Sequence, residues 1–260
     1  MNLVAAIVLL IALGVSVAPP DYRHPYGHSK AEYLSSVIEA ALIIIAAIYI
    51  FYAAIQRLLT PAPLENVGLG VALAALAAVI NGGLAIHLFR VAKNRDSLAL
   101  EANAKHLLTD VWTSAGVIVG VGVGALTGWM RLDPLIALLV AVNIVFTGIG
   151  VMRTSISRLL DERLPEDEEA RIIAVLESAP DVRGYHRLRT RRAGSARFAE
   201  VDLFVDSNMS VATAHEVARG VEADVRGALD GIEITVHIEP FEEGVRDVSR
   251  TPKDEYPEAR

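Results

Sequence analysis

The 260-residue sequence contains no cysteine. Disulfides, thiolate metal sites and cysteine nucleophiles are therefore excluded, and any metal must be held by His, Asp, Glu or Asn. The chain is also poor in charge. Asp, Glu, Lys and Arg make up 21% of it, below the usual quarter, while 53% is hydrophobic. The net charge of −7 excludes a nucleic-acid binder driven by a basic surface. What charge there is lies unevenly. Residues 1–161 carry 9 acidic and 10 basic side chains, and residues 162–260 carry 22 and 14. A single soluble globule does not divide in this way. An apolar membrane region followed by an acidic soluble domain does.

A membrane-spanning helix needs about 20 mostly apolar residues. Five stretches qualify or nearly do: 3–18, 34–55, 67–89, 107–130 and 135–152. Turn markers separate several of them, at Pro19-Pro20, Pro61-Ala62-Pro63 and Asp133-Pro134. Basic residues gather in 20–33 (Arg23, Lys30), in 90–105 (Arg90, Lys93, Arg95, Lys105) and after 152 (Arg153, Arg158, Arg163). The positive-inside rule makes these segments cytoplasmic, and the acidic domain with them. The first apolar run reads as a membrane helix or as a cleaved signal peptide. The basic n-region that a signal needs is missing, because only Met1 and Asn2 precede the run.

The acidic domain reads α-β-β-α-β. Residues 165–178 open on Glu166, Asp167, Glu168 and Glu169, which suit a helix N-terminus. Residues 185–190 form a weak strand. Residues 198–206 alternate, with Ala199, Val201, Leu203 and Val205 on one face. Residues 211–229 repeat apolar side chains at helical spacing, and 232–238 alternate again through Ile232, Ile234, Val236 and Ile238. The pattern predicts an α+β, ferredoxin-like domain with both helices on one sheet face.

Several polar residues stand out against this frame. His106 and Asp110 are four apart and share a helix face. They form half of a tetrahedral site for a divalent ion, or they sit near the cytoplasmic interface at the start of a helix beginning near Ser97. Asp21, His24 and His28 place three donor side chains within eight residues, as a metal cluster or as solvated loop residues. Glu39 is an intramembrane carboxylate or an inner-interface one. His237 and Glu239 are two apart on a strand and face away from its apolar set, and Asp202 lies on the polar face of the other alternating strand. Gly116, Gly120 and Gly124 repeat every four residues, which permits close helix packing. His87 reads as a packing or interfacial residue.

Three motifs carry a resemblance. His24-Pro25-Tyr26-Gly27-His28-Ser29-Lys30-Ala31-Glu32, followed by an apolar helix, resembles the loop after the second membrane helix of the cation diffusion facilitator family. Ala104-Lys105-His106-Leu107-Leu108-Thr109-Asp110 resembles its fifth helix, and Leu159-Leu160-Asp161-Glu162-Arg163-Leu164-Pro165 its junction with a cytoplasmic domain. The resemblance runs in order from residue 1 to about 243. It implies a homodimeric exporter of Zn²⁺ and related divalent ions in exchange for protons, and no enzyme. It implies a transport site of His106, Asp110 and Asn2, where better-known members have Asp, with a fourth ligand falling before Met1. Counted from His24, Met1 lies part-way along the family's second helix, so an upstream start is expected. It further implies a cytoplasmic metal site from His186, Asp202, His215, His237 and Glu239. Six of the seven histidines occupy family ligand positions, His87 alone excepted.

The expectation is thus a helical polytopic membrane domain at 1–161, a cytoplasmic metal-binding dimerisation domain at 162–243 and a disordered tail at 244–260. The partners expected are the lipid bilayer, divalent ions, protons and a second copy of the chain, in the cytoplasmic membrane of a prokaryote, without nucleic acid. Metal enters as transported substrate and as regulatory ligand; Zn²⁺ leads, and Fe²⁺, Mn²⁺ and Co²⁺ suit the same donors. The rival expectation is a truncated, non-transporting membrane protein that binds metal in its cytoplasmic domain as a sensor or dimer partner.

Overall fold

Apolar stretches of this length become helices, because a helix satisfies every backbone N–H and C=O internally and lipid offers no other partner. The structure, a computed structural model, describes residues 2–60, 67–127 and 131–242, with the backbone alone for 2–4, 67, 69 and 124–127. The expected tail at 244–260, the turn at 61–63 and the side chains of Asn2 and Gly124 lie outside the described residues. The chain divides at Leu159–Leu160 into two units.

The first unit holds α1 (Asn2–Ser16), α2 (Ala31–Leu59), α3 (Val67–Arg95), α4 (Leu98–Thr127) and α5 (Leu132–Leu159). Four of these, α2 to α5, are long and apolar enough to cross a membrane, and α1 is a shorter apolar helix. The five expected spans thus appear as four of full length and one short. Two boundaries move. The α4 helix starts at Leu98, nine residues before the apolar window, where Ser97 Oγ accepts the N–H of Leu100 at 3.4 Å and Glu101 pairs with Lys105 at 2.7 Å. Asp133-Pro134, read as a turn marker, lies in the first turn of α5, where proline is tolerated.

Helix α2 packs against α5, α3 against α4, and α4 against α5. Small residues set how close they come. A Cβ on Gly148 of α5 would lie 2.7 Å from Ile44 Cγ1, and one on Gly116 of α4 would lie 3.0 Å from Val140 Cγ2. Ile43, Ala47 and Ile144 fill the α2–α5 contact, and Ala40, Ala102 and Val151 join α2, α4 and α5. Large apolar side chains such as Leu139 and Phe146 point outward, as lipid contact requires.

The second unit runs α6 (Glu166–Ser178), β1 (Gly184–Ala193), β2 (Ala196–Asp206), α7 (Val211–Ala228) and β3 (Ile232–Phe241). This is the expected α-β-β-α-β order. The sheet order is β1-β2-β3; β1 and β2 are antiparallel, and β2 and β3, joined through α7, are parallel. Ile172 and Leu176 of α6 and Val221 and Val225 of α7 bury against Leu188, Val201, Leu203 and Ile234 of the sheet. Each such side chain contributes about 1.5–3 kcal/mol through burial. The other sheet face carries Glu200, Asp202, His237 and Glu239 together with the buried rings of Phe198 and Phe204.

Strand β1 is longer than the predicted 185–190 and is irregular. Its register shifts between His186 and Arg189, and Arg187 has φ +52°. The bulge lets Tyr185 and Leu188, three apart, both enter the core while His186 faces out. The acidic first turn of α6 is tied to the hairpin. Glu168 takes Arg192 Nη2 at 2.8 Å and Arg197 Nη2 at 2.9 Å, and Thr190 donates to Glu169. The bond to Glu168 pushes the Arg197 guanidinium up from its already high value.

Candidate metal centres

Three groups of ligand-type side chains emerge, one in the membrane helices, one in the α1–α2 loop and one on the polar sheet face.

On α4, His106 is 5% exposed and Asp110 follows one turn later, half-buried. The two side chains share one face of α4, which begins at Leu98, next to the Ser97 start that the interfacial reading supposed. Glu39 of α2 meets this face with its side chain fully buried; its Oε2 lies 3.4 Å from His106 Nδ1, and its Oε1 accepts from Asn103 Nδ2 at 3.3 Å. Glu39 is buried within the bundle, a placement that either reading of it allows. Asn2 opens α1, but its side chain lies outside the described residues.

The loop between α1 and α2 is folded by its own aspartate. Asp21 Oδ1 accepts the backbone N–H of Arg23 at 2.8 Å and of His24 at 2.6 Å, a local turn typical of Asp. His24 C=O in turn accepts the N–H of Asp21 at 3.2 Å and of Gly27 at 2.9 Å. Gly27 has φ +81°, which a side chain would disfavour. The result gathers three donors: His24 Nδ1 is 3.3 Å from Asp21 Oδ1, and His28 Nε2 is 3.5 Å from Oδ2. Tetrahedral Zn²⁺ with bonds of about 2.0–2.2 Å sets its ligand atoms about 3.4 Å apart, and each histidine stands at such a spacing from one of the two Asp21 oxygens. The N–H of His24 holds the Asp21 carboxyl below the usual aspartate range, keeping it ionised and ready to ligate.

On the sheet, register does the gathering. His186 pairs with Asp202 and Asp202 with His237 across the three strands. His186 Nε2 lies 3.1 Å from Glu239 Oε2 and 3.5 Å from Asp202 Oδ2, again the spacing of a tetrahedral site. The imidazole stacks on Phe204 with ring centroids 4.8 Å apart, which fixes its plane. Arg187 Nη1 donates to Asp202 Oδ2 at 3.0 Å, so a guanidinium already shares the oxygen that an ion would use.

Of the sequence-derived set, the structure thus brings together Asp21, His24 and His28, and separately His186, Asp202 and Glu239. His237 is exposed, 3.8 Å from Glu239, and His215 stands exposed on α7 outside the cluster. His87 is exposed on α3 and joins no such group among the described residues. Sequence reasoning missed Asn103 and the contact between Glu39 and His106. The spacing of Asn103 three residues before His106 is the one signal that could have found the former.

Comparison with known proteins gives a consistent result. The family described as the cation efflux transmembrane domain matches residues 1–160, and the cation efflux protein cytoplasmic domain matches 164–241. An uncharacterised transporter of Synechocystis is 43% identical over 245 residues, covering 94% of this chain and 79% of its own. A cation-efflux pump FieF of Citrobacter koseri is 31% identical over 240 residues, 92% of this chain and 80% of its own. The metal-bound C-terminal domain of the CzcD transporter from Thermotoga maritima is 43% identical; it aligns over 28% of this chain and 87% of its own, with a TM-score of 0.28.

Proposed function

The chain belongs to the cation efflux family, and from that premise we propose that it exports a zinc-like divalent cation in exchange for protons. It is an integral membrane transporter of bacterial type rather than an enzyme, and its C-terminal domain is cytoplasmic. In the proposed division of labour residues 1–161 carry the ion and residues 162–243 bind metal and pair with a second copy.

The observation that carries the reading is the buried His106, one turn from Asp110 inside the helix bundle. A bare divalent ion does not enter hydrocarbon, so protein donors must replace its water. His106, Asp110 and Asn2 are the proposed donors. Metal needs the neutral imidazole, and proton uptake by that ring expels it. One ring therefore exchanges one cargo for the other. Rocking of helix pairs around a fixed site would open it to each side in turn.

The loop triad Asp21, His24 and His28 is proposed to hold an ion on the cytoplasmic side. His186, Asp202 and Glu239, with His215 and His237 in reserve, are proposed to take a regulatory ion that draws two acidic domains together. The donor set of imidazole and carboxylate suits Zn²⁺ first, and Fe²⁺, Mn²⁺ and Co²⁺ after it.

The experiment is Zn²⁺-driven proton flux in proteoliposomes. His106→Ala is expected to abolish the flux while the dimer stays folded. Unchanged flux in that variant overturns the mechanism. Absence of flux in the wild-type chain, with Zn²⁺ still bound at His186, favours the sensor reading instead.

A further inference from the structure

Glu39 has no assigned part in holding or moving an ion, yet its placement is costly. A fully buried carboxylate inside a membrane helix is unfavourable unless other groups compensate it. One face of α4 offers partial compensation. Asn103 donates to Oε1 at 3.3 Å, while Oε2, buried and without a hydrogen bond, lies 3.4 Å from His106 Nδ1. Asn103 and His106 are three residues apart, so a single face of α4 meets both carboxylate oxygens. One turn before Glu39 on α2, Ser35 and Ser36 are buried as well, and so are the alanines Ala40 and Ala102 of the two helices. If the helices needed only to pack here, a pair of apolar side chains would serve as well.

We infer that Glu39 is a positioning residue for His106: it takes the Nδ1 side of the ring and leaves Nε2 as the atom that faces the cation. The inference rests on the proposed role of His106 in holding that cation. An imidazole ligates through one nitrogen, and the hydrogen bond made by the other fixes both the tautomer and the ring plane. A carboxylate in that place also raises the basicity of the ligating nitrogen. Asn103 occupies Oε1 and so aims Oε2 at the ring. The contact of 3.4 Å is longer than a formed hydrogen bond. Such bonds are often long in the ligand-free state and tighten when the ligand arrives.

The test is ¹⁵N resonance of ring-labelled histidine in the full chain, reconstituted in lipid, with the His106 signals identified by their loss in His106→Ala. In the wild type the proton is expected on Nδ1, and added Zn²⁺ is expected to shift Nε2. In Glu39→Gln the tautomer preference should weaken, and KM for Zn²⁺ flux should rise ten- to a hundredfold, a typical cost of losing such a partner, with kcat changed less. A wild-type proton on Nε2 with Zn²⁺ on Nδ1 overturns the inference, and that measurement decides it even if Glu39→Gln fails to fold. So does a folded Glu39→Gln with unchanged tautomer and unchanged KM. A wild type in which Zn²⁺ leaves both His106 nitrogens unmoved overturns the transport-site reading, and this inference with it.

Discussion

Asp202 Oδ2 lies between two side chains: Arg187 Nη1 donates to it at 3.0 Å, and His186 Nε2 stands 3.5 Å away beside Glu239. A metal ion bound by His186, Asp202 and Glu239 must therefore compete with the guanidinium. Arg187 is half exposed, so its hold on Asp202 is worth about 0–1 kcal/mol. Arg187→Ala is expected to tighten Zn²⁺ binding at this site by at most about fivefold, and His186→Ala to weaken it by tenfold or more. Calorimetric titration of the full chain separates the two. Weaker binding in Arg187→Ala would show that the arginine supports the site rather than competing for it.

The Asp21 carboxyl titrates below the usual aspartate range because the N–H groups of His24 and Arg23 stabilise its charged form. The sign follows from that lowering. The turn's dependence on Asp21 is fully present at and above the ordinary aspartate value, and it is lost only as pH falls through the lowered one. In metal-free protein, carboxyl ¹³C titration is expected to give Asp21 a midpoint below that of an unstructured aspartate. Asp21→Asn should loosen the loop at neutral pH, seen as faster amide exchange at His24. A normal midpoint for Asp21 would mean that the turn does not persist in solution.

How much of this was written in the sequence depends on whether the cause is local. Strands β2 and β3 were legible because burial on one face leaves a period of two, as at Val201, Leu203, Ile232 and Ile234. Strand β1 was only half legible. Its bulge at Arg187 puts Tyr185 and Leu188, three apart, on one face and breaks the period. The loop triad was legible because eight residues close on themselves. The Glu39–His106 contact was not, because it joins α2 to α4 and depends on how those helices pack. His215 rested on resemblance alone and His237 on strand alternation besides, and a single chain does not gather them with His186.

Gly120 of α4 lies tight against the first turn of α5. A Cβ there would lie 2.9 Å from both Asp133 Cα and Asp133 Oδ1. A backbone atom cannot swing aside, so Gly120→Ala must push the helices apart. Asp133 also pairs with Arg57 of α2 at 3.4 Å, and the same displacement strains that contact. Overpacking of this kind costs about 1–3 kcal/mol. Gly122, which has nothing within 4 Å, is the control. Thermal unfolding in detergent is expected to fall for Gly120→Ala and to stay level for Gly122→Ala. Equal values would mean that α4 and α5 do not touch at this point.

Glu168 holds the cytoplasmic domain's first helix to its hairpin, and it does so with one carboxylate and two arginines. Arg192 reaches both oxygens, at 2.8 and 2.9 Å, and Arg197 adds Nε at 3.0 Å and Nη2 at 2.9 Å. The three side chains are 12%, 9% and 22% exposed, so water does little to screen them. Glu168→Gln keeps the shape and removes the charge. Two guanidiniums are then left facing each other, and removing one partner of a buried ion pair costs about 3–5 kcal/mol. Neighbouring contacts set which part of the domain feels the loss. Glu169 still receives Thr190 and Arg163, so the helix stays docked at that turn. The loosening should therefore centre on Arg192 and Arg197, at the β1–β2 turn. Hydrogen exchange of the full chain is expected to show faster exchange at residues 192–197 than at 201–205 in this variant. Uniform loss of protection across the sheet would mean that Glu168 supports the whole domain and not one corner of it.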